Sequence, residues 1–265
     1  MLPFSFAEYR AAFPEEDNEY RLFTRYLNSS AFPEAVNISK LDGQLAQNYL
    51  ADLFDTIVNK DISSRYDIRN QSDFINVVKY VFSTIGSPLS ARNIENALKA
   101  HNSSVVHNTI IKYLEYLAKS YLVYPVSRYD IKGKKLLTTN DKYYVVDLGL
   151  RNLLLSASVE SDIGHRLENV VYLELLKRNA GQIMVGKADE NEVDFVVQKP
   201  GGERIYYQVA YHTDSPETLQ RELTPLLNIS DNYPKILLTL DLVPEELNGI
   251  HKINLIDWLL GKAAE

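Results

Sequence analysis

Gln182-Ile-Met-Val-Gly-Lys-Ala-Asp-Glu-Asn-Glu-Val-Asp-Phe-Val-Val-Gln-Lys-Pro-Gly-Gly-Glu-Arg-Ile-Tyr-Tyr-Gln-Val-Ala-Tyr211 is the stretch whose period sets the fold of the last third of the chain. Three runs rich in β-branched and aromatic residues, Gln182 to Val185, Glu192 to Val197 and Ile205 to Tyr211, are separated by turn-forming Asp189-Glu-Asn and Pro200-Gly-Gly, the pattern of successive strands. Strict alternation would place Glu192 and Asp194 on one face and Val193, Phe195 and Val197 on the other. On the next run Gln208 and Ala210 would share a face opposite Tyr207, Val209 and Tyr211. Upstream, Leu167, Val170, Val171 and Leu175 have helical spacing over Ile163 to Arg178, and Gly181 follows that helix. Downstream, Asp214-Ser-Pro216 reads as a helix start leading into Leu219, Leu223, Leu226 and Leu227. Lys235-Ile-Leu-Leu-Thr-Leu240 and Ile250 to Leu255 read as further strands, the former apolar throughout as if covered on both faces. Residues 151–265 therefore predict a compact α/β domain around a central mixed sheet.

Working toward the N-terminus, residues 71–150 follow a different grammar. Ser72 can cap a helix with Phe74, Val77, Val78 and Val81 on its apolar face, and Gly86-Ser-Pro88 stops it. Ser90 caps a second helix, and a third begins near Ser103 or Ser104 with Val106, Ile110, Tyr113 and Leu117 on one stripe. Two β-type runs follow, Tyr121 to Val126 and Lys142 to Asp147, joined by a segment containing Asp130-Ile-Lys-Gly-Lys-Lys135. Three short helices and a hairpin are the order of a winged helix-turn-helix. Off the apolar stripe of the third helix lie His107, Asn108 and Lys112, the side that would enter a DNA major groove; Lys132, Lys134 and Lys135 sit on the presumed wing, where phosphate contacts are expected. Residues 1–70 read as helical. The fold class is thus α+β and multidomain.

The chain has 265 residues, 45% of them hydrophobic and 24% charged, enough for two domains of ordinary size. It contains no Cys, which removes disulfides, thiolate zinc sites and cysteine nucleophiles. No apolar run approaches the roughly 18 residues that cross a bilayer. The opening Met1-Leu-Pro-Phe-Ser-Phe-Ala-Glu8 has no basic region before an apolar core, so a cytoplasmic protein is expected. Net charge is -7, unfavourable for a nucleic-acid partner, but it is unevenly spread. Residues 71–150 hold 10 Lys and Arg against 6 Asp and Glu, whereas residues 151–265 hold 11 against 18.

Few stretches carry chemistry. Gly181 to Ala188 fits most of a phosphate loop, but Ala188 lacks the hydroxyl that would bind magnesium, acidic Asp189-Glu190 follows, and the intervening residues read as strand. ATP is therefore not expected to bind. Serine-hydrolase and zinc-peptidase motifs are absent. His165 and Glu168, three apart on one helix, are compatible with metal binding or with a solvated face. Glu192 and Asp194, with Glu168 from the preceding helix, could gather oxygens suited to magnesium; equally, the two strand carboxylates could simply keep one face wet.

Beyond these local readings, Met1-Leu-Pro-Phe-Ser-Phe-x-Glu-Tyr9, Phe32-Pro-Glu34, Asp61-Ile-x-x-Arg-Tyr-x-Ile-Arg69, Tyr129-Asp-Ile-Lys-Gly-Lys134, Asp147-x-Gly-Leu-Arg-Asn152, Gly164-His-x-Leu-Glu-Asn-x-Val-Tyr-Leu-Glu174 and Asp231-Asn-Tyr-Pro-Lys235 together resemble the C-terminal region of bacterial and archaeal AAA-type ATPases. The resemblance covers nearly the whole chain. It implies lid-like helices over 1–70, a winged helix over 71–150 and a restriction-endonuclease-like domain over 151–265, with the ATPase domain itself as a partner. The nuclease-like pattern carries over as Glu168, Asp194 and Gln208, with Glu168 and Asp194 as the metal ligands. Its lysine position is Ala210, a departure that argues against cleavage, and Lys187 is the nearby substitute. The function implied is DNA binding beside a degenerate nuclease-like site; the alternatives are a regulatory or protein-interaction module, and an active magnesium-dependent nuclease.

Overall fold

The computed structural model describes residues 2–66, 68, 70–100, 103–138, 140–155 and 162–263. Met1 and Arg69, at the ends of two of the motifs above, lie outside them. In chain order the elements are α1 (Phe6–Ala12), α2 (Glu19–Asn28), α3 (Pro33–Ser39), α4 (Gly43–Thr56) running into a π-helical stretch (Ile57–Ile62), α5 (Gln71–Ser83), α6 (Ala91–Lys99) and α7 (His107–Lys119). There follow β1 (Val123–Val126), β2 (Arg128–Asp130), β3 (Lys135–Leu136), β4 (Lys142–Val145), α8 (Leu148–Leu155) and α9 (Ile163–Lys177). The last elements are β5 (Gln182–Ala188), β6 (Asn191–Gln198), β7 (Arg204–Val209), α10 (Pro216–Leu227), β8 (Lys235–Thr239), β9 (Glu245–Leu247), β10 (Ile250–Asn254) and α11 (Leu255–Leu259). No helix among the described residues is long and apolar enough to cross a membrane.

One compact unit is assembled from Met1–Phe4, Thr24–Pro125 and Asn140–Val159. Its core is the apolar face of α5: Phe74, Val77, Val78, Val81 and Phe82 are fully buried, as are Ile94 of α6 and Ile110 and Leu117 of α7. Phe74 meets Tyr113 edge-on, with ring centroids 5.0 Å apart. Helix starts differ from the expectation in two places. Asn70, not Ser72, caps α5, because Asn70 is the last residue with extended backbone and its side chain accepts the Asp73 N–H. Ser103 does not cap α7; its hydroxyl donates to Asp73 Oδ1 at 2.6 Å, and the helix begins at His107. Ser90 caps α6 as read, accepting the Asn93 N–H. β1 and β4 pair as a two-stranded sheet.

The same unit holds a tight junction around α8. Asp147 Oδ1 accepts the Leu150 N–H at 2.7 Å, while its Oδ2 accepts the Ala31 N–H at 2.8 Å and the Ser30 hydroxyl at 3.1 Å. Gly149 lies so close to this segment that a Cβ there would fall 2.2 Å from Ser30 N. Arg151 Nε donates to Phe82 O at 2.7 Å. Burial pushes the Asp147 carboxyl up to about 6, against the pull of the hydrogen bonds from Leu150, Ala31 and Ser30 that favour its charged form.

The second unit comprises Ser5–Phe23, Val126–Thr139 and Glu160–Glu265 and is built on an eight-stranded mixed sheet in the order β3-β2-β5-β6-β7-β8-β10-β9. β6 runs antiparallel to both of its neighbours, β5 and β7, and α10 crosses over to β8, which runs parallel to β7 and to β10. Ser215 caps α10 with Pro216 in its first turn, as read from the sequence. On one face α10 brings Leu223 and Leu226 onto Val193, Val196, Tyr206, Ala210 and Leu237. On the other, Tyr172 of α9 packs on Phe195, and Trp258 of α11 packs on Tyr207 with the Arg178 guanidinium over its ring. Gly186 sits within β5, so the phosphate-loop lookalike is a strand; a Cβ there would lie 2.7 Å from Val196 Cγ2.

Two features of this sheet depart from the alternation and wing readings. The register of β5 against β6 shifts between Met184↔Val196 and Gly186↔Val193, so three steps on β6 face two on β5. This bulge breaks the period of two: Val193 and Val196, not Val193, Phe195 and Val197, form part of the same core cluster. The second departure is the hairpin β2–β3. Instead of standing alone as a wing tip, β2 pairs in parallel with β5, and β3 becomes the sheet edge.

Candidate functional site

Glu168, Asp194 and Gln208 are all buried polar residues, with about 8% of each exposed. Glu168 lies one turn before Tyr172 on α9, and its Oε1 is 3.3 Å from His165 Nδ1. Asp194 lies in the bulged part of β6. The backbone pairing of β6 with β7 runs from Gln198↔Arg204 to Phe195↔Tyr207, and Asp194 is the next residue. From there side chains carry the contact: Asp194 Oδ2 accepts the Val209 N–H at 2.8 Å, and Gln208 Oε1 accepts the Asp194 N–H at 3.4 Å. The two side chains thus bridge β6 and β7 just beyond the last paired residues. Gln208 Nε2 donates to Glu222 Oε2 at 3.2 Å, and Glu222 is paired with Arg221. Ala210 is buried in the apolar cluster beneath α10.

Lys187 stands opposite Glu192 on β6 and Asp130 on β2, so its register neighbours are both acidic. Glu192 in turn lies 3.6 Å from Arg128. Neither Glu168 nor Asp194 belongs to any group of three His, Asp or Glu side chains able to share a metal among the described residues.

The residues read as a nucleic-acid surface fall in two places. His107, Asn108 and Lys112 are exposed on the first two turns of α7, together with Ile111 and the Glu115–Lys119 ion pair. Lys132, Lys134 and Lys135 lie on the β2–β3 hairpin at the sheet edge. Lys132 Nζ is 2.6 Å from Asp189 Oδ2, Lys134 occupies the turn with φ +50°, and Lys135 pairs across from Asp130. A cleft of about 450 Å³ in the first unit is lined by Arg25, Asn28, Gln47 and Asn152 among others, with no carboxylate or imidazole among the described residues that line it.

The sequence reading missed a cluster after β7 and β8, where His212, Asp214 and Asp241 bring one ligand atom each within 4.8 Å of one another. Burial would raise the Asp241 carboxyl. Hydrogen bonds from Thr213 and His212 and the nearby Lys252 ammonium outweigh it and hold the group at about 2. The available signal was positional: polar residues immediately following apolar strands that run parallel.

These observations define an α+β protein of two compact units, one helical with a two-stranded ribbon and one around a mixed eight-stranded sheet. The chain belongs to the family described as "Domain of unknown function (DUF8612)", whose model matches residues 20–161. It is similar to an "Uncharacterized protein" of Haemophilus influenzae, 35% identical over 98% of this chain and 64% of the relative. It also resembles "Uncharacterized protein MJ1544" of Methanocaldococcus jannaschii, 28% identical over 80% of this chain and 49% of the relative. The chain therefore spans less than two thirds of the length of these relatives. No solved structure matches it.

Proposed function

We propose that this chain is the nucleic-acid-binding part of a longer prokaryotic ATPase, reading DNA through α7, with a nuclease-like second unit that does not cleave. The observation that carries the reading is the solvent face of α7, where His107, Asn108 and Lys112 are exposed on the third helix of an α5-α6-α7 set followed by the β1–β4 ribbon. That order suits a winged helix, whose third helix enters the major groove with its N-terminal residues toward the bases. The order α9-β5-β6-β7-α10-β8 supports the nuclease-like assignment of the second unit. The motif resemblance supports the AAA-type ATPase context, and the length of both relatives outside the matched region leaves room for such a domain.

The donor set at Glu168, Asp194 and Gln208 does not fit a working magnesium site. Asp194 and Gln208 are engaged in holding β6 to β7, and the position where the pattern has lysine is Ala210, within the apolar cluster. The wing lysines contribute less than α7, since Lys132 is already paired with Asp189. The test is fluorescence anisotropy of the purified chain with a labelled duplex across a salt series. Asn108→Ala and Lys112→Ala should each weaken binding, the latter flattening the salt dependence by about one phosphate contact. Equal affinity for both variants and the unmodified chain would remove α7 from the interface. Absence of any DNA binding at low salt would leave the protein-interaction reading in its place.

A further inference from the structure

A second set of side chains, separate from Glu168, Asp194 and Gln208, gathers where three parallel strands end. β7 leads into His212, Thr213 and Asp214, β8 leads into Asp241, and Asn254 closes β10. The carboxyl ends of parallel strands are where α/β sheets bind ligands, because the connections diverge there and leave a crevice. We propose that His212, Asp214 and Asp241 form a binding site for a divalent first-row transition-metal ion of the zinc class.

Geometry, donor chemistry and charge each support the assignment. The three ligand atoms lie within 4.8 Å of one another, and a metal ion would replace the hydrogen bond between His212 Nδ1 and Asp241 Oδ1, 3.1 Å apart. Metal–ligand bonds of about 2.0–2.1 Å in tetrahedral geometry would put neighbouring ligand atoms roughly 3.3 Å apart, so the three side chains draw together on binding. One imidazole with two carboxylates suits zinc-class ions, whereas magnesium and calcium take all-oxygen sets. Both Asp241 oxygens are held: the Thr213 N–H lies 3.3 Å from Oδ1 and 3.2 Å from Oδ2, and Oδ2 also accepts the Thr213 hydroxyl and lies 3.5 Å from Lys252 Nζ. Its backbone is fixed by Asn254 Nδ2, which donates to Asp241 O at 3.0 Å, and by Thr239 Oγ1, which accepts the Asp241 N–H. Support of this kind orients a ligating carboxylate. Lys252 also pairs with Glu245 at 2.9 Å, so the carboxylates of Asp214, Asp241 and Glu245 outnumber the one ammonium of Lys252 by two, a balance matched to a dication. Asp214 is exposed and His212 is partly exposed, so a fourth coordination position faces solvent, the arrangement of zinc sites that bind water or substrate.

The test is isothermal titration of the untagged chain with zinc, paired with the visible absorption of the cobalt(II) form. One equivalent should bind, with affinity falling at least about tenfold in His212→Ala and in Asp214→Ala, and cobalt absorption should be lost in both. Glu203→Gln, an exposed change outside the cluster, should bind as the unmodified chain does. Asp214 is on the surface, so its variant keeps the fold, which circular dichroism checks. Failure to bind zinc, or binding unchanged in both variants, overturns the proposal; displacement of the bound ion by equimolar magnesium overturns the assigned metal class.

Discussion

Replacing Gly149 by Ala should destabilise the first unit by about 3 kcal/mol, although the same change in an open helix is favourable. Gly149 is helical, and on propensity alone Ala would gain roughly 1 kcal/mol. The added Cβ, however, would lie 2.2 Å from Ser30 N, 2.5 Å from Ser30 Cα and 2.6 Å from Ser29 C, all backbone atoms that cannot rotate away. Reaching an ordinary contact of roughly 3.5 Å requires α8 and the 29–30 segment to part by more than about 1 Å. That separation breaks the bonds from Ala31 N and the Ser30 hydroxyl to Asp147, of which a charge-assisted one contributes roughly 1.5–3 kcal/mol, and overpacking adds about 1–3 kcal/mol. The net remains near 3 kcal/mol after the propensity gain is subtracted. Urea unfolding followed by far-ultraviolet circular dichroism reads it directly. Gly164→Ala in α9, where a Cβ meets nothing within 4 Å, is the matched control and should be neutral or stabilising by up to about 1 kcal/mol. A Gly149→Ala chain as stable as the unmodified one would refute the close-approach argument.

Asp194→Ala should cost about 1–3 kcal/mol by leaving the buried Val209 N–H unsatisfied, and Asp194→Asn should cost less because an amide oxygen can still accept; equal losses in urea titrations would contradict the strand-bridging role. Ala210→Lys should yield a chain destabilised by several kcal/mol with no magnesium-dependent cleavage of plasmid DNA, because the ammonium would enter an apolar cluster; a stable, cleaving variant would show the nuclease-like site to be intact apart from its lysine. For Asp147 the folded pKa lies above the unfolded value near 3.8, so the native state binds the proton more tightly. Stability should then fall by on the order of 3 kcal/mol as pH rises from about 4 through 6 and level off above, a slope that Asp147→Asn removes and urea midpoints across that range measure.

Much of the secondary structure was legible because it rests on neighbours in sequence. The α5 stripe of Phe74, Val77, Val78 and Val81, the caps at Ser90 and Ser215, and the doubly covered strand Lys235–Thr239 all follow from local period and composition. The basic middle segment and exposed face of α7 were legible for the same reason. Misplaced helix starts at Ser72 and Ser103 reflect a competition that sequence cannot decide: several Ser and Asn side chains could cap, and the backbone angle at each position chooses among them.

Which strands pair, and in what register, depends on partners distant in sequence, and here only the tertiary structure decided. A period of two assigns Asp194 and Phe195 to opposite faces, but the register of β6 against β5 shifts by one residue there, and the Asp194 side chain accepts the Val209 N–H. The segment Arg128 to Leu136 looks like any solvated hairpin until β5 is seen to offer it a free edge. Asp147 and Gly149 form an unremarkable tetrapeptide with their neighbours; their roles come from Ser30 and Ala31, over a hundred residues away. His212, Asp214 and Asp241 come together because β7 and β8 run side by side in the same direction after a helical crossover. Local chemistry determined the elements of this protein, while long-range hydrogen-bond pairing determined which of its polar residues meet.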